Sequence, residues 1–276
     1  MEHLPRRHVA AALLGGALSL TTATAAHADD AGGHRRADDY TVYVAGDSTA
    51  ATKTAAARPE TGWGQTLPLF LGHRVTVSNH AVNGASSKSF VDRGWLAPVL
   101  EAIRPGDRLL ISFGHNDSKS EDPARYTEPF GSYQQYLRQY VDGARRRGAH
   151  PVLVTSVERR RFTADGQAYS SHGDYPRAMR ELAERERVPL VDLQAESLAL
   201  WQRLGPEGTK EVFLWLAAGQ EPNYPDGVRD NTHFAPHGAI EVARLVARML
   251  QRQRILPARD VRRLGDAIPD SAVTWS

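Results

Sequence analysis

Residues 41–49 read Thr-Val-Tyr-Val-Ala-Gly-Asp-Ser-Thr, an apolar run (Thr41–Ala45) that breaks directly into a Gly46-Asp47-Ser48-Thr49 turn. A run that is apolar at consecutive rather than alternate positions fits a strand covered on both faces, as in a parallel sheet flanked by helices. Four more runs read the same way: Arg74–Asn79, Arg108–Phe113 (RLLISF), Pro151–Ser156 (PVLVTS) and Pro189–Leu193. Between them the apolar period lengthens to that of a helix. Leu96, Val99, Leu100 and Ile103 fall on one face, as do Tyr133, Tyr136, Leu137, Tyr140 and Val141 before a polar Arg145–Gly148 ending. The last helix begins at Pro236, a favourable first-turn residue, and carries Ala239, Val242, Ala243, Val246, Met249 and Leu250 on one stripe. This alternation predicts an α/β fold: one three-layer αβα sandwich around a central, mostly parallel sheet of about five strands. In such sheets ligands sit beyond the carboxyl ends of the strands.

The 276 residues are 41% hydrophobic and 24% charged, with no Cys, which excludes collagen-like, disordered and disulfide-stapled chains. The formal charge is only +2, from 34 basic and 32 acidic residues, so no basic stripe calls for nucleic acid. Arg6 and Arg7 precede an apolar Val9–Leu20 stretch, and Ala26-His27-Ala28 fits a small-residue cleavage site. Residues 1–28 therefore read as a signal peptide for secretion to the extracellular space. The apolar stretch is shorter than the roughly 20 residues a membrane span needs, so no membrane association is expected after cleavage. Residues 29–39 (DDAGGHRRADD) read as a disordered N-terminal segment, 40–256 as the folded domain and 257–276 as a C-terminal tail.

Four segments carry candidate chemistry. Ser48 lies on the turn that leaves the first strand, where it is either a nucleophile or a helix cap. Asn79–Ser86 (NHAVNGAS) follows the second strand, and Gly84 reads as a position where a Cβ would obstruct close backbone approach and whose N–H can meet an oxyanion. Gly114-His115-Asn116-Asp117 follows the third strand, and the Asn116 amide is an uncharged donor suited to the same task. Asp230-Asn231-Thr232-His233-Phe234 precedes the last helix. A carboxylate three residues before an imidazole can fix its tautomer and stabilise its charged form.

Together these segments resemble the four consensus blocks of the SGNH (GDSL-type) hydrolases. The Thr61-Gly62-Trp63-Gly64-Gln65 run, NHAVNGASSKSF, GHND, DNTHF and the Pro225–Arg229 approach are similar to the rhamnogalacturonan acetylesterase-like branch, over Val42 to about Leu250. The resemblance implies the flavodoxin-like SGNH fold. It also implies a Ser48, His233, Asp230 triad and an oxyanion hole from the Ser48 N–H, the Gly84 N–H and the Asn116 side chain. It further implies a serine esterase that removes O-acetyl groups from a plant cell-wall polysaccharide such as rhamnogalacturonan or pectin, through an acyl-enzyme on Ser48. An SGNH esterase for acetylxylan, lipid or thioester, or an inactive carbohydrate-binding protein, is the alternative.

Within the site, Asp47 and Asp117 are rival triad acids, but the spacing to His233 favours Asp230, and Asp47 is expected to bond backbone N–H groups of its own turn. His115 is expected to hydrogen-bond locally and shape the Asn116 loop. His237 forms an HxxxH pair with His233, yet Phe234-Ala235 lacks the Glu of a zinc helix and Pro236 starts the helix between the two rings. No metal and no cofactor are expected. Trp63, Phe90, Trp95 and Trp215 are candidates for a sugar platform, Trp63 foremost. Lys53, Thr54, Ser86, Ser87 and Lys88 read as polar loops around Ser48. Lys88, Arg93 and the Arg159-Arg160-Arg161 run could attract an anionic polysaccharide. The expected partner is an acetylated poly- or oligosaccharide, with a monomer as the default oligomeric state.

Overall fold

The structure, a computed structural model, describes residues 39–275. The signal segment 1–28 and residues 29–38 of the stretch behind it lie outside the described residues. The five runs read as strands become β1 (Tyr40–Gly46), β2 (Val75–Asn79), β3 (Arg108–Ser112), β4 (His150–Val154) and a short β5 (Leu190–Val191). They form one parallel sheet in the order β2-β1-β3-β4-β5. The chain runs outward from β1 to β2, then returns across β1 to continue as β3. This reversal opens a crevice at the carboxyl ends of β1 and β3.

The middle of each central strand is apolar at consecutive positions because its residues feed two cores in turn. Val42 and Val44 of β1, Leu110 of β3 and Val152 and Val154 of β4 enter one cluster. Tyr43, Ala45, Leu109, Ile111 and Leu153 enter the other. The first core is closed by α1 (Trp63–Thr66), α6 (Leu193–Gly208) and α7 (Pro236–Arg252). The second is closed by α2 (Ser87–Asp92), α3 (Leu96–Ala102), α4 (Gln134–Arg146) and α5 (Tyr175–Glu186). The three-layer sandwich expected from the sequence is thus the observed one.

A second, two-stranded antiparallel ribbon of β6 (Phe213–Leu216) and β7 (Val228–Phe234) has no counterpart in the sequence reading. Its register breaks in the middle. Phe213 pairs with Phe234 and Trp215 with Arg229, so residues 230–233 of β7 bulge out opposite Leu214 alone. A bulge re-aims side chains and strips main-chain groups of ladder partners. The Asp-Asn-Thr-His motif occupies this bulge.

Of the 257–276 segment, read in the sequence as a tail, residues 257–275 are described and pack onto the body. Val261, Ile268 and Val273 join the first core, Tyr40 donates its hydroxyl to Asp260 at 2.9 Å, and Arg244 donates to the carbonyls of Arg263 and Leu264. Trp275 donates its indole N–H to the Glu60 carbonyl at 2.9 Å.

α7 starts directly against the backbone that supports the ribbon. Val212 O accepts the Ala235 N–H at 3.1 Å, and a Cβ on Gly238 would lie 1.9 Å from that same carbonyl oxygen. Neither partner is a flexible side chain, so Gly238→Ala must displace the first turn of α7. We expect it to cost about 1–3 kcal/mol, as overpacking does. Thermal denaturation should show a midpoint lower by several degrees; an unchanged midpoint would contradict this backbone contact.

Candidate active site

The turn after β1 is held by its own Asp. Asp47, almost fully buried, accepts the Thr49 N–H at 2.9 Å and the Thr49 hydroxyl at 2.7 Å, while its carbonyl accepts the N–H groups of Ala50 and Ala51. Burial raises the Asp47 carboxyl above its ordinary range, with the Thr49 hydrogen bonds opposing. Asp47 is therefore the brace expected from the sequence, and Ser48 is presented at its apex.

Below that turn lies the Thr61–Gln65 run. Trp63 N–H donates to Thr49 O at 2.9 Å and Gly64 N–H to Ala50 O at 3.1 Å. A Cβ on Gly62 would meet Ala51 O at 2.1 Å, and one on Gly64 would meet Ala50 O at 2.6 Å. The two glycines let α1 approach the nucleophile turn backbone to backbone. Trp63 between them is completely buried in the first core, which corrects its reading as a sugar platform. Phe90 is equally buried, and Trp95 packs edge-on against it.

The bulge of β7 supplies the imidazole. Asp230 Oδ1 accepts the Thr232 and His233 N–H groups at 2.6 and 3.0 Å, two donors that the broken ladder leaves without strand partners. Its other oxygen meets His233 Nδ1 at 2.7 Å, and His233 Nε2 lies 2.8 Å from Ser48 Oγ. An ionised carboxylate only accepts, so Nδ1 carries the proton and Nε2 presents its lone pair to the Ser48 hydroxyl. Burial alone would raise Asp230. The hydrogen bonds and charge of His233, with the His233 and Thr232 N–H groups, outweigh it and hold the carboxyl below its ordinary range. Arg160 fastens the bulge from behind: its N–H donates to Asn231 O at 2.8 Å and its guanidinium to Asn231 Oδ1 at 3.2 Å. Trp215 donates to that same Oδ1 at 3.1 Å. Arg160 and Trp215 thus act as supports of the motif.

Gly84 and Asn116 line the same cavity of about 500 Å³ as Ser48 and His233. Glycine is needed at position 84 for a reason other than the close backbone approach expected there. A Cβ there would come no nearer than 3.8 Å to an Arg125 nitrogen, and it is the φ of +74° that calls for glycine. Asn116 donates one amide N–H to Ala85 O at 2.8 Å, which ties the two loops together and leaves its second N–H uncommitted. Asp117, fully buried, stitches them again by accepting the Ser87 N–H, the Ser87 hydroxyl and the Thr127 hydroxyl. It touches neither Ser48 nor His233 and is not a triad acid by geometry.

Three further expectations are corrected. His115 makes no local ring hydrogen bond: both ring nitrogens are buried without a partner among the described residues, and the ring lies edge-on to His172 at 4.3 Å. Burial pulls it well below the ordinary imidazole range, so it stays neutral. Lys53 is buried as well, paired with Glu60 at 2.7 Å and donating to Asn83 Oδ1 at 2.6 Å, and Ser86 and Ser87 are inside the protein. Among the described residues no Trp, Tyr or Phe lines the cavity, whereas Arg159 of the basic run does. His237 is exposed, and both nitrogens of His233 are already engaged. Among the described residues no group of three or more His, Cys, Asp or Glu could hold a metal ion.

Burial lifts Asp117 from 3.8 to about 7, against the hydrogen bonds from Ser87 and Thr127. The folded chain therefore holds this proton more tightly than the unfolded one. The stability it contributes is complete below pH 4 and is lost as pH rises toward 7. Asp117→Asn removes that titration. We expect its melting temperature relative to the wild type to rise between pH 4 and pH 7.5; a difference that stays constant across that range would count against the shift.

Residues 44–239 match the GDSL-like lipase/acylhydrolase family model. Over 219 residues the chain is 46% identical to rhamnogalacturonan acetylesterase RhgT of Bacillus subtilis, covering 79% of this chain and 92% of that protein. It is 41% identical to the probable rhamnogalacturonan acetylesterase YesY of the same organism, covering 75% and 90%. The crystal structure of the B. subtilis protein YxiM superimposes with a TM-score of 0.68 at 30% identity. That match covers 79% of this chain but only 57% of the longer YxiM chain. Fold, motif geometry and sequence identity agree: the chain belongs to the GDSL-like lipase/acylhydrolase family.

Proposed function

We propose that the protein is a secreted serine esterase that removes O-acetyl groups from a pectin-type polysaccharide, rhamnogalacturonan foremost. The observation that carries the reading is the unbroken line from Asp230 through His233 to Ser48, at 2.7 and 2.8 Å, opening into a cavity with no apolar side chain on its wall. A long acyl chain would need a hydrophobic groove, whereas a sugar ester needs hydrogen-bonding groups such as Asn83, Lys119, Arg159 and Thr232. The names of the relatives RhgT and YesY support the same substrate class. Export rests on the Met1–Ala28 sequence.

In the proposed mechanism His233 Nε2 takes the Ser48 proton as Oγ attacks the acetyl carbonyl carbon. Asp230 holds the ring in the Nδ1–H tautomer and stabilises its cationic form. The tetrahedral oxyanion is met by the Ser48 and Gly84 N–H groups and the second Asn116 amide N–H. Collapse breaks the bond to the sugar oxygen, which leaves with the proton from His233. Water, deprotonated by His233, then attacks the acetyl-enzyme; the Oγ–acyl bond breaks, the His233 proton returns to Ser48 Oγ, and acetic acid leaves and ionises to acetate. Asp117 and the Asn116–Ala85 bond hold the two loop donors in register, so that little reorganisation accompanies the developing charge.

Acetate release from acetylated rhamnogalacturonan tests the reading. Ser48→Ala should lower kcat by at least about 10⁴ and Asp230→Asn by about 10⁴, the size of such losses in other triads. Asn116→Ala should cost about 10²–10³ with KM little changed. Full activity of Ser48→Ala would refute the nucleophile, and faster turnover of long-chain p-nitrophenyl esters than of p-nitrophenyl acetate would refute the sugar-ester assignment.

A further inference from the structure

The wall of the Ser48 cavity carries two positive charges, on Arg159 and Lys119, that no carboxylate contacts among the described residues. Arg159 is more than half buried, and the groups that hold it are uncharged: NH1 donates to Ser171 O at 3.1 Å and to His172 Nδ1 at 3.4 Å, and NH2 donates to His115 O at 3.2 Å. The adjacent carboxylate, Glu158, is turned away. It accepts the Ser171 N–H and hydroxyl at 2.9 and 2.8 Å and the Gln194 amide at 2.7 Å. Lys119, also on the wall, makes no side-chain hydrogen bond or ion pair among the described residues.

Nearby cations are treated differently. Lys53 is neutralised by Glu60 at 2.7 Å, which consumes that wall carboxylate, and Arg125, beside Gly84, is neutralised by Asp122. Asp230, behind His233, is covered by the imidazole and two main-chain N–H groups. Holding a guanidinium out of water without a counter-charge is costly, and burial does pull Arg159 below its ordinary value, with Asp47 and Glu158 opposing. That cost is offset once an anion docks, and the planar fork of a guanidinium matches a carboxylate.

We propose that Arg159 and Lys119 form an anion subsite beside Ser48 and His233 that takes the carboxylate of a uronate unit in the ester-bearing polysaccharide. This rests on the acetylesterase reading above and adds to it the residues that select an acidic glycan over a neutral one. Arg159 is fixed in place by its three acceptors and supplies direction; Lys119, a point charge on a flexible stem, supplies charge.

The test uses one acetylated galacturonate-containing oligosaccharide in two forms, with free carboxylates and with the same carboxylates methyl-esterified. The wild type should prefer the acidic form by about tenfold or more in kcat/KM, mainly through KM, as charge-assisted hydrogen bonds warrant. That preference should shrink with added salt. Lys119→Met and Arg159→Met should each bring the ratio toward one. Because Arg159 also holds the His115 carbonyl, Lys119→Met, whose side chain supports nothing else, keeps the test independent of folding. Equal use of both forms by the wild type, or equal slowing of both forms in the variants (the result if these cations served only the departing acetate), would overturn the subsite. Should neither form release acetate while p-nitrophenyl acetate is hydrolysed, the acetylesterase reading falls. The subsite is then judged by inhibition of p-nitrophenyl acetate hydrolysis. Stronger inhibition by galacturonate than by its methyl ester, lost in Lys119→Met, upholds it; equal inhibition overturns it.

Discussion

A single carboxylate reconciles two demands that would otherwise conflict at the end of β7. Inserting Asp230–His233 into a ribbon opposite one residue of β6 aims an imidazole at the sheet's carboxyl edge, but it also strips two N–H groups of their ladder partners. One oxygen of Asp230 takes both of those donors and the other takes the imidazole. The group that makes the irregular backbone tolerable is thus the group that fixes the ring's tautomer and direction. Asn231, held by Arg160 and Trp215, keeps the same bulge from relaxing toward regular pairing.

The rest of the site follows from sheet topology. Ser48 and Asn116 leave β1 and β3, the adjacent strands between which the order reverses, while Gly84 comes from the loop after β2 on the other side of β1. Three elements far apart in sequence are thereby delivered to one crevice by parallel strands of similar reach. Their fine placement is left to short polar ties: Asp47 within the first turn, and Asp117 and Asn116 between the second and third loops.

Most of this frame is readable in the chain because it is written in periodicity. Val42, Tyr43 and Val44, like Leu109, Leu110 and Ile111, are consecutive hydrophobes since successive residues fill different cores, and the stripe on α7 is wide because the helix is nearly enclosed. The ribbon escapes such a reading: Arg229–His233 is polar throughout, and its strand character comes from pairing with Phe213 and Trp215. The mistakes about Trp63, Lys53 and His115 share a cause. Residue type signals a polar or aromatic task, but whether a side chain faces the cavity or the interior depends on close approaches such as Gly62 and Gly64 against Ala50 and Ala51. The wrong reason for Gly84 has the same origin, since φ is invisible in composition.

The bond from Trp275 to the Glu60 carbonyl gives the far end of the polypeptide a part in shaping the crevice. Glu60 anchors Lys53, and Lys53 grips Asn83, next to Gly84 on the wall of the cavity. The loops that carry Lys53 and Asn83 are therefore braced through Glu60 by a tryptophan 215 residues downstream of it, so strain or loss at that indole would be felt at the rim of the crevice.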